Sequence, residues 1–332
     1  MTEPARTTLV LTRADVRSLL SMPRAVEAVE QAFVAYATEA AQMPPKVYLS
    51  LGQHGGDFRA MPSYLARRSA AEPPIAGVKW VNSHPDNPKK FGLPSVMGIY
   101  ILSDPETALP LAILDGTLLT AARTGAAAAV ASRALSKKQP KTMGFVGCGI
   151  QARTMWEAHR AVFGDSLRII GADSDPAAAE KFAREVGGTV GSVEAAAGCD
   201  IVNTSTPGRA PAVRSAWVKP GAHINAMGAD APGKQELDAD ILDHAKVVID
   251  DHHQATHSGE VNVALEAGTF TEDRIHGSLG DVLAKKIPGR SGETEITIFD
   301  SKGLAIQDVA LAWVLYQEAR SRGVGAALSI VL

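Results

Sequence analysis

Two groups of residues in this 332-residue chain have types and spacings suited to chemistry. The first is Gly147-x-Gly149-x-x-Ala152, inside KTMGFVGCGIQARTMWEAH. In such a pattern the first glycine permits a tight turn and the second lets the backbone approach a pyrophosphate. The third position must be small so that helix and strand can touch. The free N–H groups and dipole of the following helix would then face the phosphate charge. A glycine pattern alone is weak evidence. Here a short apolar run precedes it, a helical run follows, and a second strand-like run, LRIIGAD, comes next. Asp173 ends that second run. A carboxylate there can accept from both ribose hydroxyls of NAD and would repel the 2′-phosphate of NADP. Its neighbours are Ser174 and Asp175, with no adjacent arginine, so NAD is expected rather than NADP.

The second group is a set of charged residues beside Gly, Pro or Asn. Lys46 lies in MPPKVYLSL, Arg59 in DFRAMPSYL, Lys79 in AGVKWVNSHPDNP and Arg123 in LDGTLLTAARTGAAAA. Asp230, in NAMGADAPGKQELD, falls in a loop just after a predicted strand. Ligands of doubly wound sheets sit beyond the carboxyl ends of strands, so a carboxylate there can face a nicotinamide ring. Each residue also has a plainer reading. Lys and Arg on loops are commonly solvated, and an Asp can simply cap its loop.

The elements that must position these groups fall into two textures. Thr12 with Asp15 reads as a helix cap and its partner. Ser21 and Pro23 open a second helix with Val26, Val29, Phe33 and Tyr36 on one face. From Lys46 to about Leu114, strand-like runs (KVYLSL, AGVKWVN, VMGIYIL, LPLAIL) alternate with turn residues. LLTAARTGAAAAVASRAL is an Ala-rich helix whose small side chains allow close packing, and it reads as the connection between domains. Strands are then predicted at 142–147, 167–171, 200–205, 222–227 and 246–250. Helices are predicted at 151–162, 176–186 and 192–197. This alternation builds a parallel sheet covered on both faces. GLAIQDVALAWVLYQEARSRG is an amphipathic helix ending at Gly323; it falls outside the alternation and is expected to return to the first domain.

Composition narrows the possible functions. Apolar residues make up 45% and charged residues 21%, and the formal net charge is −3. Nothing in that balance points to nucleic acid or an anionic membrane. No apolar run approaches about 18 residues, so no membrane span is expected. The start, MTEPARTTLVLTRADVRSLL, lacks the basic-then-apolar form of a secretion signal. Two cysteines, Cys148 and Cys199, make no disulfide framework, and the expected location is the cytoplasm. Cys148 reads as a small filler in the glycine loop. Asp250, Asp251, His252, His253 and His257 do not match a zinc spacing; they read as a polar loop, and no metal is expected. His84 reads as part of a turn in HPDNP.

Taken together, these strings resemble the ornithine cyclodeaminase/mu-crystallin family. The specific pieces are GVKWVNSHPDNP, DGTLLTAARTGAAAA, GCGIQA, GADAPGKQELD and FDSKGLAIQDVA, in the family's order. The resemblance implies a Rossmann-type doubly wound parallel sheet, residues 125–302, inserted into an α+β substrate and dimerisation domain. That outer domain would be residues 1–124 plus 303–332, pairing into a homodimer. Lys79 and Arg123 match the residues that hold the substrate carboxylate, and Lys79 and Asp230 are the expected catalytic residues. Lys46 matches a basic position. Two cations around one carboxylate would aim a Cα–H at the nicotinamide, which is catalysis by positioning. Asp230 matches the acid near the substrate nitrogen, able to stabilise an iminium and relay a proton. Thr124, Ile150, Gln151, Ser205, Thr206, Met227 and Gly228 complete the expected NAD site. Glu260 and Asp300 match positions expected to shape its surroundings.

The shared chemistry of the family is hydride transfer at the Cα of a small amino or imino acid. Ornithine cyclodeaminases carry an acidic residue before the MP dipeptide; here the residue is Arg59. Two like charges about 4 Å apart cost roughly 4 kcal/mol at an effective dielectric of about 20, which disfavours an ornithine side chain. Lys46 with Arg59 therefore resembles the alanine-dehydrogenase type, although Arg59 can equally welcome a second carboxylate. Cyclodeaminase and ketimine reductase are the enzyme alternatives. An NAD-bound, mu-crystallin-like ligand-binding protein is the non-enzyme alternative.

Overall fold

The computed structural model describes residues 7–66 and 72–331. The chain forms two compact units, Met1–Arg123 with Leu304–Leu332, and Thr124–Gly303.

The first unit opens with β1 (Thr8–Leu11). Thr12 then caps α1 (Arg13–Leu19). Its hydroxyl accepts from the Asp15 N–H while the Asp15 carboxylate accepts from the Thr12 N–H, which satisfies two orphan donors at once. α2 (Met22–Ala37) carries Pro23 in its first turn, where a missing N–H costs nothing. Ser21 makes no side-chain cap there. Val26, Val29 and Phe33 are buried, whereas Tyr36 is half-buried. The chain continues through β2 (Ala41–Gln42), β3 (Val47–Leu51), β4 (Gly56–Leu65), β5 (Ile75–Ser83), α3 (Asn87–Phe91), β6 (Gly98–Ser103) and β7 (Pro110–Asp115).

β4 to β7 pair as antiparallel neighbours, and β1 joins β7 in parallel. The sequence reading names no strand at DFRAMPSYL, yet this segment is β4, a central strand of the sheet. Pro62 is tolerated because β3 pairs with β4 only from Gly56 to Ala60, and β2 only at Tyr64 and Leu65. The proline falls in the gap, where that side of β4 has no ladder to break. The two-residue period sorts side chains between the faces. Lys79, Val81, Tyr100 and Leu102 are buried, while Trp80, Ile99 and Ile101 are exposed.

α4 (Gly116–Leu135) runs from the first unit into the second. Ala126 to Ala131 are fully buried. At Gly125 a Cβ would lie 2.3 Å from the Thr154 carbonyl oxygen, so the close approach expected of this helix requires glycine.

The second unit alternates β8 (Thr142–Val146), α5 (Ile150–Phe163), β9 (Arg168–Ala172), α6 (Pro176–Val186), β10 (Thr189–Val190), α7 (Val193–Ala197), β11 (Ile201–Thr204) and β12 (His223–Ala226). Then come α8 (Asp240–Asp243), β13 (Ala245–Ile249), α9 (His252–His257), α10 (Gly259–Glu266), β14 (Ile275–Ser278), α11 (Leu279–Leu283) and β15 (Ile296–Asp300). The strand order is β10-β9-β8-β11-β12-β15-β13-β14, and every pairing is parallel. This is the Rossmann-type doubly wound sheet. The order reverses between β8 and β11, which is where such sheets open a ligand crevice. β15 is absent from the sequence reading. It is buried along almost its whole length, and Thr297 and Asp300 interrupt the apolar run that would have marked it.

A polar network crosses this unit's core. His159 Nδ1 bonds the Met155 carbonyl and its Nε2 lies 2.8 Å from Ser132 Oγ. Asn225 donates to Ser132 and Asn203, and its carbonyl faces His223 Nε2 at 3.0 Å. Burial lowers the pKa of His159 to about 4 and that of His223 to about 3, so both rings are neutral.

After Gly303 the chain rejoins the first unit as α12 (Ala305–Arg322), which packs on α2, β4 and β5. Gly323, at φ 62°, ends it in the left-handed conformation. β16 (Ala326–Leu328) then pairs antiparallel with β1.

Candidate active site

β8 delivers the glycine loop to the switch point of the second unit. Gly147 has φ 89°, and a Cβ there would lie 2.8 Å from the Ser205 carbonyl oxygen, so only glycine fits. Gly149 precedes the first residue of α5, and a Cβ on it would meet nothing within 4 Å. The backbone is therefore open to a ligand at the N-terminus of a 14-residue helix. Ala152 is fully buried, as close contact of helix and strand requires. Arg153 donates to the carbonyls of Cys148 and Gly149. Asp173 follows β9, and its Oδ2 accepts from the Cys148 N–H at 2.6 Å. The same carboxylate thus anchors the loop and remains half-exposed beside it. Ile150 is exposed at the loop's mouth and Gln151 is half-buried. Thr124 is buried on α4. Open backbone, helix terminus and flanking carboxylate together fit a dinucleotide.

Ser205 and Thr206 follow β11, and Met227 and Gly228 follow β12. The Ser205 hydroxyl lies 3.3 Å from the Gly147 carbonyl. The Thr206 and Gly228 N–H groups are both bound by the buried Glu236 carboxylate, so these two residues can meet a cofactor only through other atoms. Asp230 lies in the loop after β12, partly exposed, and accepts from Lys234 Nζ at 2.7 Å.

The cationic cluster belongs to the first unit. Lys79 is fully buried, and its ammonium donates to Asp308 Oδ2 at 2.7 Å. Arg123 Nε reaches Asp308 Oδ1 at 3.2 Å, and Arg123 Nη1 donates to Gln307 Oε1 at 3.1 Å. β5, α4 and α12 therefore bring two predicted cations onto one buried carboxylate. Burial is the main force lowering the Lys79 pKa, to about 7; Asp308 opposes it, and Arg123 and Lys46 add to the lowering. The half-buried Lys46 is thus electrostatically coupled to Lys79. Arg59 lies on the same buried face, diagonal to Lys79, since Met61 stands opposite Lys79 in the β4–β5 ladder. Its guanidinium bonds both oxygens of Asp57, at 2.8 and 3.1 Å, and lies 5.2 Å from the Tyr48 ring centre.

Two expectations change here. Arg59 stands on a strand that the sequence reading did not name, beside Lys79 on the expected one, and Arg123 lies two turns inside α4. The Asp57 carboxylate also offsets part of the Arg59 charge on which the argument against an ornithine side chain rests.

The sequence reading did not single out Asp308, Gln307, Glu236 or Lys302, although each sits in a quoted string. The available signal was Asp308 itself, a charge flanked at i−4, i+3 and i+7 by Leu304, Leu311 and Leu315. Glu260 binds the backbone N–H groups of Glu236 and Leu237, and Asp300 pairs with the buried Lys302. The Asp250 carboxylate accepts from the N–H groups of Asp251, Lys302 and Gly303. His252, His253 and His257 lie on α9, with the last two rings stacked. His84 bonds Asn82 and closes a turn with Asn87. Burial pushes the Cys148 thiol up to about 12, which makes it unreactive.

Comparison with known proteins agrees with this architecture. The alanine dehydrogenase of Archaeoglobus fulgidus is 50% identical over 323 residues, covering 96% of this chain and 97% of that one. A structure described as an archaeal alanine dehydrogenase dimer with bound NAD superposes with a TM-score of 0.92 at 48% identity, covering 98% and 99%. The Thermococcus litoralis Delta(1)-pyrroline-2-carboxylate reductase, in complex with NADH and L-proline, gives 0.90 at 34%, covering 96% and 99%. Residues 6–323 match the ornithine cyclodeaminase/mu-crystallin family, and the chain belongs to it.

Proposed function

We propose that the protein is an NAD-dependent amino-acid oxidoreductase of the alanine dehydrogenase type. The reaction takes L-alanine, NAD and water to pyruvate, ammonium, NADH and a proton. The observation that carries this reading is the meeting of Lys79 and Arg123 on Asp308 in one buried cluster. Two cations on one anion leave a positive excess, which suits a substrate carboxylate. Arg123 orients that carboxylate. Lys79, with its pKa lowered to about 7, can also give or take a proton at neutral pH. Lys46 and Arg59 extend the positive surface toward the substrate's far end. Asp230 stabilises the positive charge that develops at the substrate nitrogen and relays a proton. When bound, NAD supplies the hydride acceptor. Gly147, Gly149 and Ala152 seat its pyrophosphate, and Asp173 holds its adenosine ribose.

The similarity to the A. fulgidus enzyme supports this choice over the cyclodeaminase and imine reductase readings. Trp80, Ile99 and Ile101 make one face of the first sheet apolar and exposed. A relative described as a dimer supports assigning that face to a second copy of this chain. No helix among the described residues is long and apolar enough to cross a membrane. Two buried, unpaired cysteines suit a reducing compartment, and we assign the protein to the cytoplasm.

The test is NADH absorbance with NAD and a panel of L-amino acids, then the reverse reaction with pyruvate and ammonium. Alanine-dependent NADH formation is expected. Conversion of ornithine to proline without net NADH would replace this reading with cyclodeaminase activity, and tight ligand binding without turnover would replace it with the non-enzyme reading.

A further inference from the structure

We propose that Glu236 is a positioning residue for the dinucleotide, a clasp that joins the loops after β11 and β12. The inference rests on the cofactor reading above. Oε1 accepts from the Thr206 N–H and, at 2.9 Å, from the Thr206 hydroxyl. Oε2 accepts from the Gly228 N–H at 2.7 Å and from the Thr204 hydroxyl at 2.6 Å. One carboxylate therefore binds both loops at the carboxyl ends of neighbouring parallel strands, which is the edge along which doubly wound sheets hold their ligands.

The clasp is itself held. Glu236 is fully buried. Its own N–H donates to Glu260 Oε1 at 2.7 Å, and its carbonyl accepts from the N–H groups of Ala212 and Val213. Glu260 Oε2 accepts from the next N–H, that of Leu237. Every polar group of Glu236 is thus engaged, and the side chain has one orientation. The packing over Gly228 is equally tight. A Cβ there would lie 2.4 Å from the Thr206 carbonyl oxygen and 2.6 Å from Glu236 Oε1. Glycine is needed at this point because the clasp closes over it.

The chemistry favours a carboxylate over an amide. Each oxygen faces a backbone N–H, which can only donate. In Glu236→Gln one of those N–H groups would face an NH2, and the two loops would separate.

The test combines binding with amide exchange. In Glu236→Gln the NADH dissociation constant, read by fluorescence titration, should rise at least about tenfold, the size of one lost charge-assisted hydrogen bond. The KM for NAD should rise with it, while kcat at saturating NAD changes less than KM. Hydrogen exchange of the Thr206 and Gly228 amides should speed up in the cofactor-free protein. Thr204→Val, which removes one donor and leaves Glu236 in place, should raise the dissociation constant about threefold. A folded Glu236→Gln variant with unchanged NADH affinity and unchanged exchange overturns the clasp. If that variant does not fold, an unchanged Thr204→Val does so instead. Should the wild-type protein bind no NADH, the cofactor reading fails, whereas the exchange measurement still reports on the clasp itself.

Discussion

Lys79, Arg123 and Asp308 come from a strand and two helices of the first unit and hold each other by opposite charge. Glu236 and Glu260, in the second unit, are held chiefly by backbone N–H groups. The contrast follows from what each environment supplies. Turns beyond parallel strands present many N–H donors, so a buried carboxylate there can be satisfied without a cation. A buried ammonium or guanidinium has no equally abundant charged partner in the backbone. It keeps its charge only beside a carboxylate, and that carboxylate has to come from elsewhere in the chain.

The comparison predicts different kinds of failure. The largest effect is expected at Asp308. Asp308→Asn strands two buried cations and should lower stability by about 3–5 kcal/mol in urea denaturation. Lys79→Met, which leaves Asp308 paired with Arg123, should lower it less. Equal losses in the two variants would mean that the carboxylate is not what holds the cluster.

Lys79 also makes the first unit pH-sensitive. With its pKa lowered to about 7, the neutral amine is available at and above neutral pH. Alanine oxidation should therefore fall about tenfold per pH unit below about 7. The Lys79→Arg variant, permanently charged, should lose most of its activity and show no such break. A break that survives this substitution assigns the titration to another group.

The histidine network of the second unit sharpens the comparison, because it is buried without charge. The folded pKa of His159 is lowered from 6.5 to about 4 and that of His223 from 6.5 to about 3. The unfolded chain binds more protons between those values, so stability is at its fullest above about 6.5 and declines as pH falls through that window. The slope should approach about 1.4 kcal/mol per pH unit for each ring, measured as the denaturation midpoint between pH 7 and 5. His223→Asn should reduce it by about half, leaving the His159 share, and an unchanged slope would exclude His223 as a source.

The smallest effect concerns Asp173. Asp173→Asn should raise the KM for NAD about tenfold and allow some use of NADP, because a charge-assisted bond to ribose is lost. Unchanged discrimination between the two cofactors would remove Asp173 from cofactor selection.

The glycine loop was legible in the sequence because its parts are contiguous: strand, turn, helix and small third residue are read in one pass. The positions of the five predicted strands of the parallel sheet were legible for a similar reason, each being a short apolar run bounded by turn residues. β4 was hidden because its proline looks incompatible with a ladder until the gap between β2 and β3 is seen. β15 was hidden because Thr297 and Asp300 break its short apolar run. The loops after β11 and β12 were legible as strand ends, but not that Glu236 binds the N–H groups of Thr206 and Gly228.

By itself, then, the sequence determined the family, the parallel sheet and the types of residue that could do chemistry, since these depend on short-range periodicity and on motifs in a fixed order. Only the tertiary structure decided which charge neutralises which. Lys79 and Asp308 are 229 positions apart, and Glu236 and Thr206 are 30 apart on separate loops. The partner of a buried charge is chosen by how sheet and helices pack, and a linear pattern does not encode that choice locally.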